Sequence, residues 1–206
     1  MKGLQFLKHF NEFQRYVRNY KFEFSDEGIY FPTARAWMRG TYEHWIEGWE
    51  SDTRLDCNII PLEGQNHFLK IAFTGSPAPS TLWYLGLHSG TGVEDAAVTA
   101  ALYDTTYSEI QATSGDPGGY TSATRVLWAY DAVDTANSEI VNDTTPAAFT
   151  VSTTTTLVVN GAWMTNTSGR TSYSGIAMSI AKFTATRNLA DTDVFNLKYK
   201  IDLDHV

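Results

Sequence analysis

The sequence predicts a mainly β fold: an antiparallel β-sandwich of jelly-roll-like or immunoglobulin-like topology, with an N-terminal helical arm and one short internal helix. Three observations carry this. From residue 124 on, β-branched and aromatic runs recur at 124–130, 139–142, 147–151, 156–164, 176–183 and 194–203, spaced by roughly ten residues. The stretches between them, 131–138, 143–146, 166–175 and 186–192, are rich in the Asp, Asn, Ser, Thr and Gly that initiate turns. In the last run Phe195, Leu197, Tyr199, Ile201 and Leu203 alternate with Val194, Asn196, Lys198, Lys200 and Asp202, one dry face and one wet.

The earlier elements read as follows. Leu4, Leu7, Phe10, Phe13, Val17 and Tyr20 fall at spacings of three and four, one stripe of a helix, with Lys8, Arg15 and Arg18 off the stripe. That stripe suits packing on its own domain, docking on a neighbouring subunit, or lying on an anionic membrane surface. Residues 22–32, with the turn Ser25-Asp26-Glu27-Gly28, suit a short hairpin. Residues 41–50 alternate Tyr42, His44 and Ile46 against Glu43, Trp45, Glu47 and Trp49, a strand with aromatic contacts on both faces. Leu62, Leu69 and Phe73, with Phe68 and Ala72 beside them, predict a helix of about three turns closed by Gly75. Residues 81–87, Thr-Leu-Trp-Tyr-Leu-Gly-Leu, form a core strand between Pro77-Ala78-Pro79 and the loop His88 to Gly92. Ala-rich residues 93–102 allow a second short helix, residues 107–110 an extended piece, and 114–119 a turn region.

Composition bounds the function. A chain of 206 residues with 43% hydrophobic residues holds one substantial core, or one domain plus an arm, and the second reading divides it into 1–40 and 41–206. A formal net charge of -8 argues against nucleic-acid binding by the body, which would need Lys and Arg in excess. The charge is uneven: Lys2, Lys8, Arg15, Arg18 and Lys21 face only Glu12 within residues 1–22, a basic arm on an acidic body. Cys57, the single cysteine, permits no disulfide within the chain and is expected as a small buried hydrophobe. No stretch has the apolar length of a signal sequence or membrane span, so the expectation is a chain made and folded in the cytoplasm.

The chemistry-bearing residues form no catalytic pattern. His9, His44, His67, His88 and His205 lack zinc-ligand spacing, His67 reading as a helix-surface or satisfied core histidine. No nucleophile elbow, phosphate loop or dinucleotide fingerprint occurs, and Ser-Gly-Thr-Gly at 89–92 is too short to cradle a phosphate. Asp191 with Asp193 and Asp202 with Asp204 read as solvated edges. No catalytic residue, metal site or cofactor is expected. A binding module is the remaining chemical reading, with Trp37, Trp45 or Trp49, and Trp163 beside them, stacking sugar rings as exposed aromatic platforms do.

The order of motifs carries a likeness. Asn58-Ile59-Ile60, Glu63-Gly64-Gln65-Asn66-His67-Phe68-Leu69, Trp83-Tyr84-Leu85-Gly86-Leu87, Gly119-Tyr120 with Arg125 and Trp128, Asn137-Ser138, Ala148-Phe149-Thr150, Asn160-Gly161-Ala162-Trp163 and Gly175-Ile176-Ala177-Met178-Ser179 follow one another. This order resembles a family of tailed-bacteriophage virion proteins over roughly residues 41–203; Gln65 departs from the aliphatic residue usual there, and residues 1–40 have no counterpart. The resemblance implies a β-rich, non-enzymatic structural role in the virion after synthesis in the host cytoplasm, as a capsid decoration, cement or minor head protein. Its partners would be the major capsid protein or tail proteins of the same particle, and it would form a homo-oligomer. Leu4, Leu7, Phe10, Phe13, Arg15, Arg18 and Lys21 would be the docking residues of the arm. A tail fibre, adaptor or baseplate component is the first alternative, and a glycan-binding β-sandwich module the second.

Overall fold

The computed structural model describes residues 23–25, 28–30 and 36–205, with side chains from Met38 to Leu203. The predicted arm helix with Leu4, Leu7, Phe10, Phe13, Arg15, Arg18 and Lys21, and the side chain of Trp37, lie outside the described residues. The chain divides into two units, Met1–Trp37 with Asp204–Val206, and Met38–Leu203. In the first, β1 (Glu23–Ser25) and β2 (Gly28–Tyr30) form the expected short antiparallel hairpin.

The second unit is mainly β. Its elements are β3 (Ala36–Ile46), whose start lies in the first unit, β4 (Arg54–Cys57), α1 (Leu62–Thr74), β5 (Tyr84–His88), α2 (Ala100–Tyr107), β6 (Gly119–Tyr120) and β7 (Val126–Leu127). There follow β8 (Glu139–Val141), β9 (Ala147–Ser152), β10 (Leu157–Thr165), β11 (Ala177–Leu189) and β12 (Val194–His205). One sheet has the order β11-β10-β5-β7; the other runs β4-β3-β12-β9-β6, with β8 also paired to β12. β10 pairs with β11 and β9 with β12, so the run from β9 to β12 is a long hairpin folded across both sheets. Among the described residues two α-helices stand; the second, allowed for over 93–102, begins near the end of that stretch at Ala100 and runs on to Tyr107. Neither described helix is long and apolar enough to cross a membrane.

The main core lies between the sheets. Leu85 and Leu87 of β5, Val159 and Met164 of β10 and Phe183 of β11 meet Tyr42 of β3, Phe149 of β9 and Phe195, Leu197 and Tyr199 of β12. The predicted alternation of β12 is observed down to Tyr199: its odd-numbered residues are buried and its even-numbered ones partly exposed. β10 breaks the rule because both its faces are covered. Its outer face carries Trp163 into a second cluster with Val98, Ala100, Tyr103, Tyr107 and Ile180, where Trp163 and Tyr103 stack at 3.9 Å. A register shift between Val159 and Gly161 also changes parity, so Leu157 and Val159, then Ala162 and Met164, share the core side. The extra residues sit on β11, where Val159 pairs with Arg187 but Gly161 pairs with Lys182.

Polar side chains close the gaps left by the strands. Between the end of β8 and the start of β9, β12 has no strand beside it on that flank, and the Asn142 amide takes that place. Its Oδ1 accepts from Tyr199 N at 2.7 Å and from Trp128 Nε1 at 3.1 Å, and its Nδ2 donates to Leu197 O at 3.2 Å. At one side of the unit the edge strands β4 and β11 are stitched together. Asp56 Oδ1 accepts from Thr184 N and Oγ1 at 2.7 and 2.6 Å, and Ile59 and Ile180 exchange backbone bonds at 2.9 and 3.1 Å. Such stitching leaves neither edge as an open template for another strand. It also explains why Cys57 is exposed rather than buried as expected: β4 turns Asp56 inward, so its neighbours Leu55 and Cys57 face solvent. Three boundaries differ for related reasons. β5 starts at Tyr84 because Thr81 and Leu82 are exposed; only Val126 and Leu127 of 124–130 pair as strand, since Trp128 turns inward; and Thr186 to Leu189, the start of a stretch read as a spacer, continue β11.

His44 sits inside this seam. Arg187 Nε donates to its Nδ1 at 3.0 Å, so Nε2 carries the proton and donates to Asp56 Oδ2 at 2.8 Å, while the ring stacks on Phe183 at 3.9 Å. Burial, with the Arg187 charge adding to it and Asp56 opposing, pushes His44 down to about 4. His88, buried at the end of β5 against the carbonyls of Ala181 and Gly90, is pushed down to about 4 by burial. Below pH 6.5 the unfolded chain therefore binds protons that the folded chain refuses. Stability should be flat above about pH 7 and fall by on the order of a few kcal/mol as pH drops from 6.5 to 4. Urea unfolding across that range checks the fall, and NMR titration checks the sites. A His44 resonance titrating near 6.5 with constant stability would overturn the assignment.

Candidate functional site

The densest set of ionisable and aromatic groups lies on the outer face of the first sheet. Glu109 and Arg125 form a bidentate pair, Nε to Oε1 at 2.7 Å and Nη2 to Oε2 at 2.8 Å, with both side chains fully enclosed. The other Arg125 donors reach the carbonyls of Thr167, Ser172 and Arg170, so all five N–H groups have acceptors. Trp163 Nε1 donates to Glu109 Oε1 at 3.1 Å, and the guanidinium lies 4.7 Å from the Trp163 ring centroid. Gly86, paired with Trp163 across β5 and β10, makes the room: a Cβ there would stand 2.5 Å from Trp163 Nε1 and 2.6 Å from Glu109 Oε1. Nearby, Arg170 donates to the carbonyls of Gln111, Ala112 and Tyr120 and lies 3.5 Å from the Tyr120 ring centroid.

These arginines tie the loop before β6 to the loop between β10 and β11. A carboxylate closed off from solvent and held by three donors has no lone pair presented to a substrate, so the arrangement serves the scaffold. Arg125→Met should cost about 3–5 kcal/mol, because it strands a buried carboxylate. Adding Glu109→Leu should restore most of that loss in urea unfolding. A double variant as unstable as Arg125→Met would show that packing, not charge pairing, holds the loops.

Helix α1 carries the clearest candidate contact surface. Leu62, Leu69 and Phe73 recur on one stripe, and the sequence assigns that stripe to packing. The structure turns it outward: Leu62 is 53% exposed, Leu69 51% and Phe73 81%, whereas Gly64 and His67 face the body. Polar anchors set this rotation. Glu63 Oε2 accepts from Ala177 N on β11 at 2.7 Å and from Ala100 N at the start of α2 at 2.8 Å. Gly64 lies so close to β11 that a Cβ would stand 2.9 Å from Ala177 O. With Glu63 and Gly64 fixed against β11, the apolar stripe has nowhere to point but away. Gly64→Ala, which in an exposed helix would add up to about 1 kcal/mol of stability, should here cost about 1–3 kcal/mol. Thermal or urea unfolding decides the sign, and a stabilised variant would mean that α1 stands off the strand.

Under α1, a cavity of about 220 Å³ is lined by His67, Ile71, Trp83, Trp128, Met178 and Ile201 among others. His67 is 5% exposed, and its ring meets Trp83 edge-on at 5.9 Å. Of the tryptophans considered for sugar stacking, Trp163 is fully buried, Trp45 is half-buried on the solvent face of β3, and Trp49 is 67% exposed in the turn after it. Among the described residues no ring contact joins Trp45 to Trp49, so the structure supplies no shared platform from this pair.

The groups that do gather around Trp45 come from far along the chain and carried no local signal. Lys198 of β12 lies over its ring at 5.3 Å, and the same Lys198 lines, with Lys200 and the acids Glu43, Glu139 and Asp143, a groove on that face. Comparison with protein-family models, curated proteins and solved structures finds no match to this chain.

Proposed function

We propose that this chain is a non-enzymatic structural protein of a tailed-phage virion, a capsid decoration, cement or minor head protein that adheres to the lattice by burying apolar surface. The observation that carries the reading is the outward row Leu62, Leu69 and Phe73, held away from the body by Glu63 and Gly64. Apolar side chains aligned on one rigid helix are a contact surface in waiting. Each gains about 1.5–3 kcal/mol on full burial, and a lattice multiplies that modest contact over many copies. Two further features support a scaffold: the Glu109–Arg125 pair and the His44 seam commit their buried charges to internal bonds.

The nested pairing of β9 with β12 and β10 with β11 favours the jelly-roll-like form of the sandwich over the immunoglobulin-like one. In this proposal the basic, apolar N-terminal arm, Leu4 to Lys21, is a second contact with an acidic partner surface, and copies associate with one another. A tail fibre, adaptor or baseplate role uses the same surfaces in fewer copies.

Copy number in purified particles tests the reading. Mass spectrometry against the major capsid protein should find the chain in hundreds of copies per particle, and a count of a few to a few dozen would move it to the tail. Leu69→Ser with Phe73→Ser should leave the protein folded while weakening attachment to particles by about tenfold or more. Absence from particles would overturn the proposal.

A further inference from the structure

The outer face of the second sheet holds a groove of about 560 Å³, within the range of ligand-binding sites. Lys198 and Lys200, successive outward residues of β12, form its floor. Thr41 and Glu43 of β3, with Leu55 of β4, make one wall; Glu139 and Val141 of β8, followed by Asp143, make the other. Trp45 continues the β3 wall, since 41, 43 and 45 point outward while Tyr42 and His44 are buried.

The polar groups are ordered by one another. Lys198 Nζ donates to Asp143 Oδ1 at 2.5 Å and Lys200 Nζ to Glu139 Oε2 at 3.1 Å, with Asp202 Oδ2 at 3.8 Å from Lys200. Glu43 has no hydrogen bond or ion pair with any described residue, so its carboxylate is available to a donor. Three lining carboxylates against two ammonium groups disfavour an anion, which removes phosphate groups and uronic acids as natural occupants. An apolar ligand would strip solvent from two ion pairs and leave the Glu43 carboxylate with no donor at all. What remains is a neutral molecule that both donates and accepts at closely spaced points and has one apolar face. A pyranose ring fits this description: adjacent hydroxyls bridge a carboxylate and an ammonium, and the C–H face stacks on indole.

We propose that this groove binds a neutral oligosaccharide, with Trp45 as the stacking ring, Glu43, Glu139 and Asp143 as acceptors and Lys198 and Lys200 as donors. The site stands independently of the virion reading. It takes Trp45 from the tryptophans considered above and gives it partners, and it leaves Trp49 outside.

The test is a titration of the full chain with neutral hexasaccharides of α- and β-linked glucose, mannose, galactose and xylose, with an oligogalacturonate as the acidic comparison. Tryptophan fluorescence and the NMR signal of the Trp45 indole N–H report binding. At least one neutral sugar should shift the Trp45 signal at millimolar concentration. Trp45→Ala and the conservative Glu43→Gln should each weaken binding about tenfold, a stacking or hydrogen-bond contribution, while Trp49→Ala should not. Circular dichroism of each variant separates lost binding from lost fold, and Trp45→Tyr, which keeps a stacking face, should retain part of the affinity. No response to any neutral sugar, binding of the acidic one alone, or loss in Trp49→Ala with Trp45→Ala unaffected would each overturn the proposal. None of these outcomes touches adhesion through α1, which copy number and the Leu69 and Phe73 variants decide.

Discussion

The structure depends on covering β10 from both sides. A strand that buries nearly every residue cannot rest on one apolar partner, so the facing sheet supplies the first cover and α2 with its flanking loops the second. The second cover is made of irregular backbone, which brings carbonyls and amides into a dry place. The arginines answer that need: Arg125 and Arg170 collect six carbonyls between them, and Glu109 neutralises the first while also accepting from Trp163. The buried ion pair is thus a consequence of the two-sided strand. Gly86 follows from it in turn, because only a residue without a Cβ leaves Trp163 and Glu109 their meeting place.

What was legible in the sequence was periodicity carried by side chains that face one way. β9 and β12 alternate cleanly, and the turn residues between strands mark the connections. What was not legible was any feature set by a partner far along the chain. The apolar stripe of α1 predicts an inward face, and the rotation is decided instead by a carboxylate reaching Ala177 and a glycine pressed against its carbonyl. Cys57 faces solvent because Asp56, beside it on β4, turns inward to meet Thr184, seven strands later in the sequence. Thr186 to Leu189 look like a loop in composition, and they continue β11, where His44 receives Arg187 and Asp56 receives Thr184 just before them.

The same division holds for the surfaces. Trp45 stands out in the sequence as an aromatic residue on an alternating strand, whereas Lys198, Lys200, Glu139 and Asp143 are unremarkable until the order β4-β3-β12 with β8 assembles them. α1 and the groove rest on different chemistry, one apolar and one charged, and on different sheets. The proposed adhesion through α1 and the proposed recognition in the groove are therefore separable, each alterable by substitutions that leave the other's contacts in place.

Asn142 has a bearing on how such a chain diversifies. Because its side chain supplies the bonds that a continuous strand would have supplied, the link from residue 143 to 146 is relieved of any duty to the β12 ladder. Insertions, deletions and exchanges there fall on backbone that the sheet does not need. That link begins with Asp143, part of the groove wall. A change of loop length there would therefore remodel one bank of the groove while leaving the sheet unaltered, much as a lock is rekeyed without recasting its body.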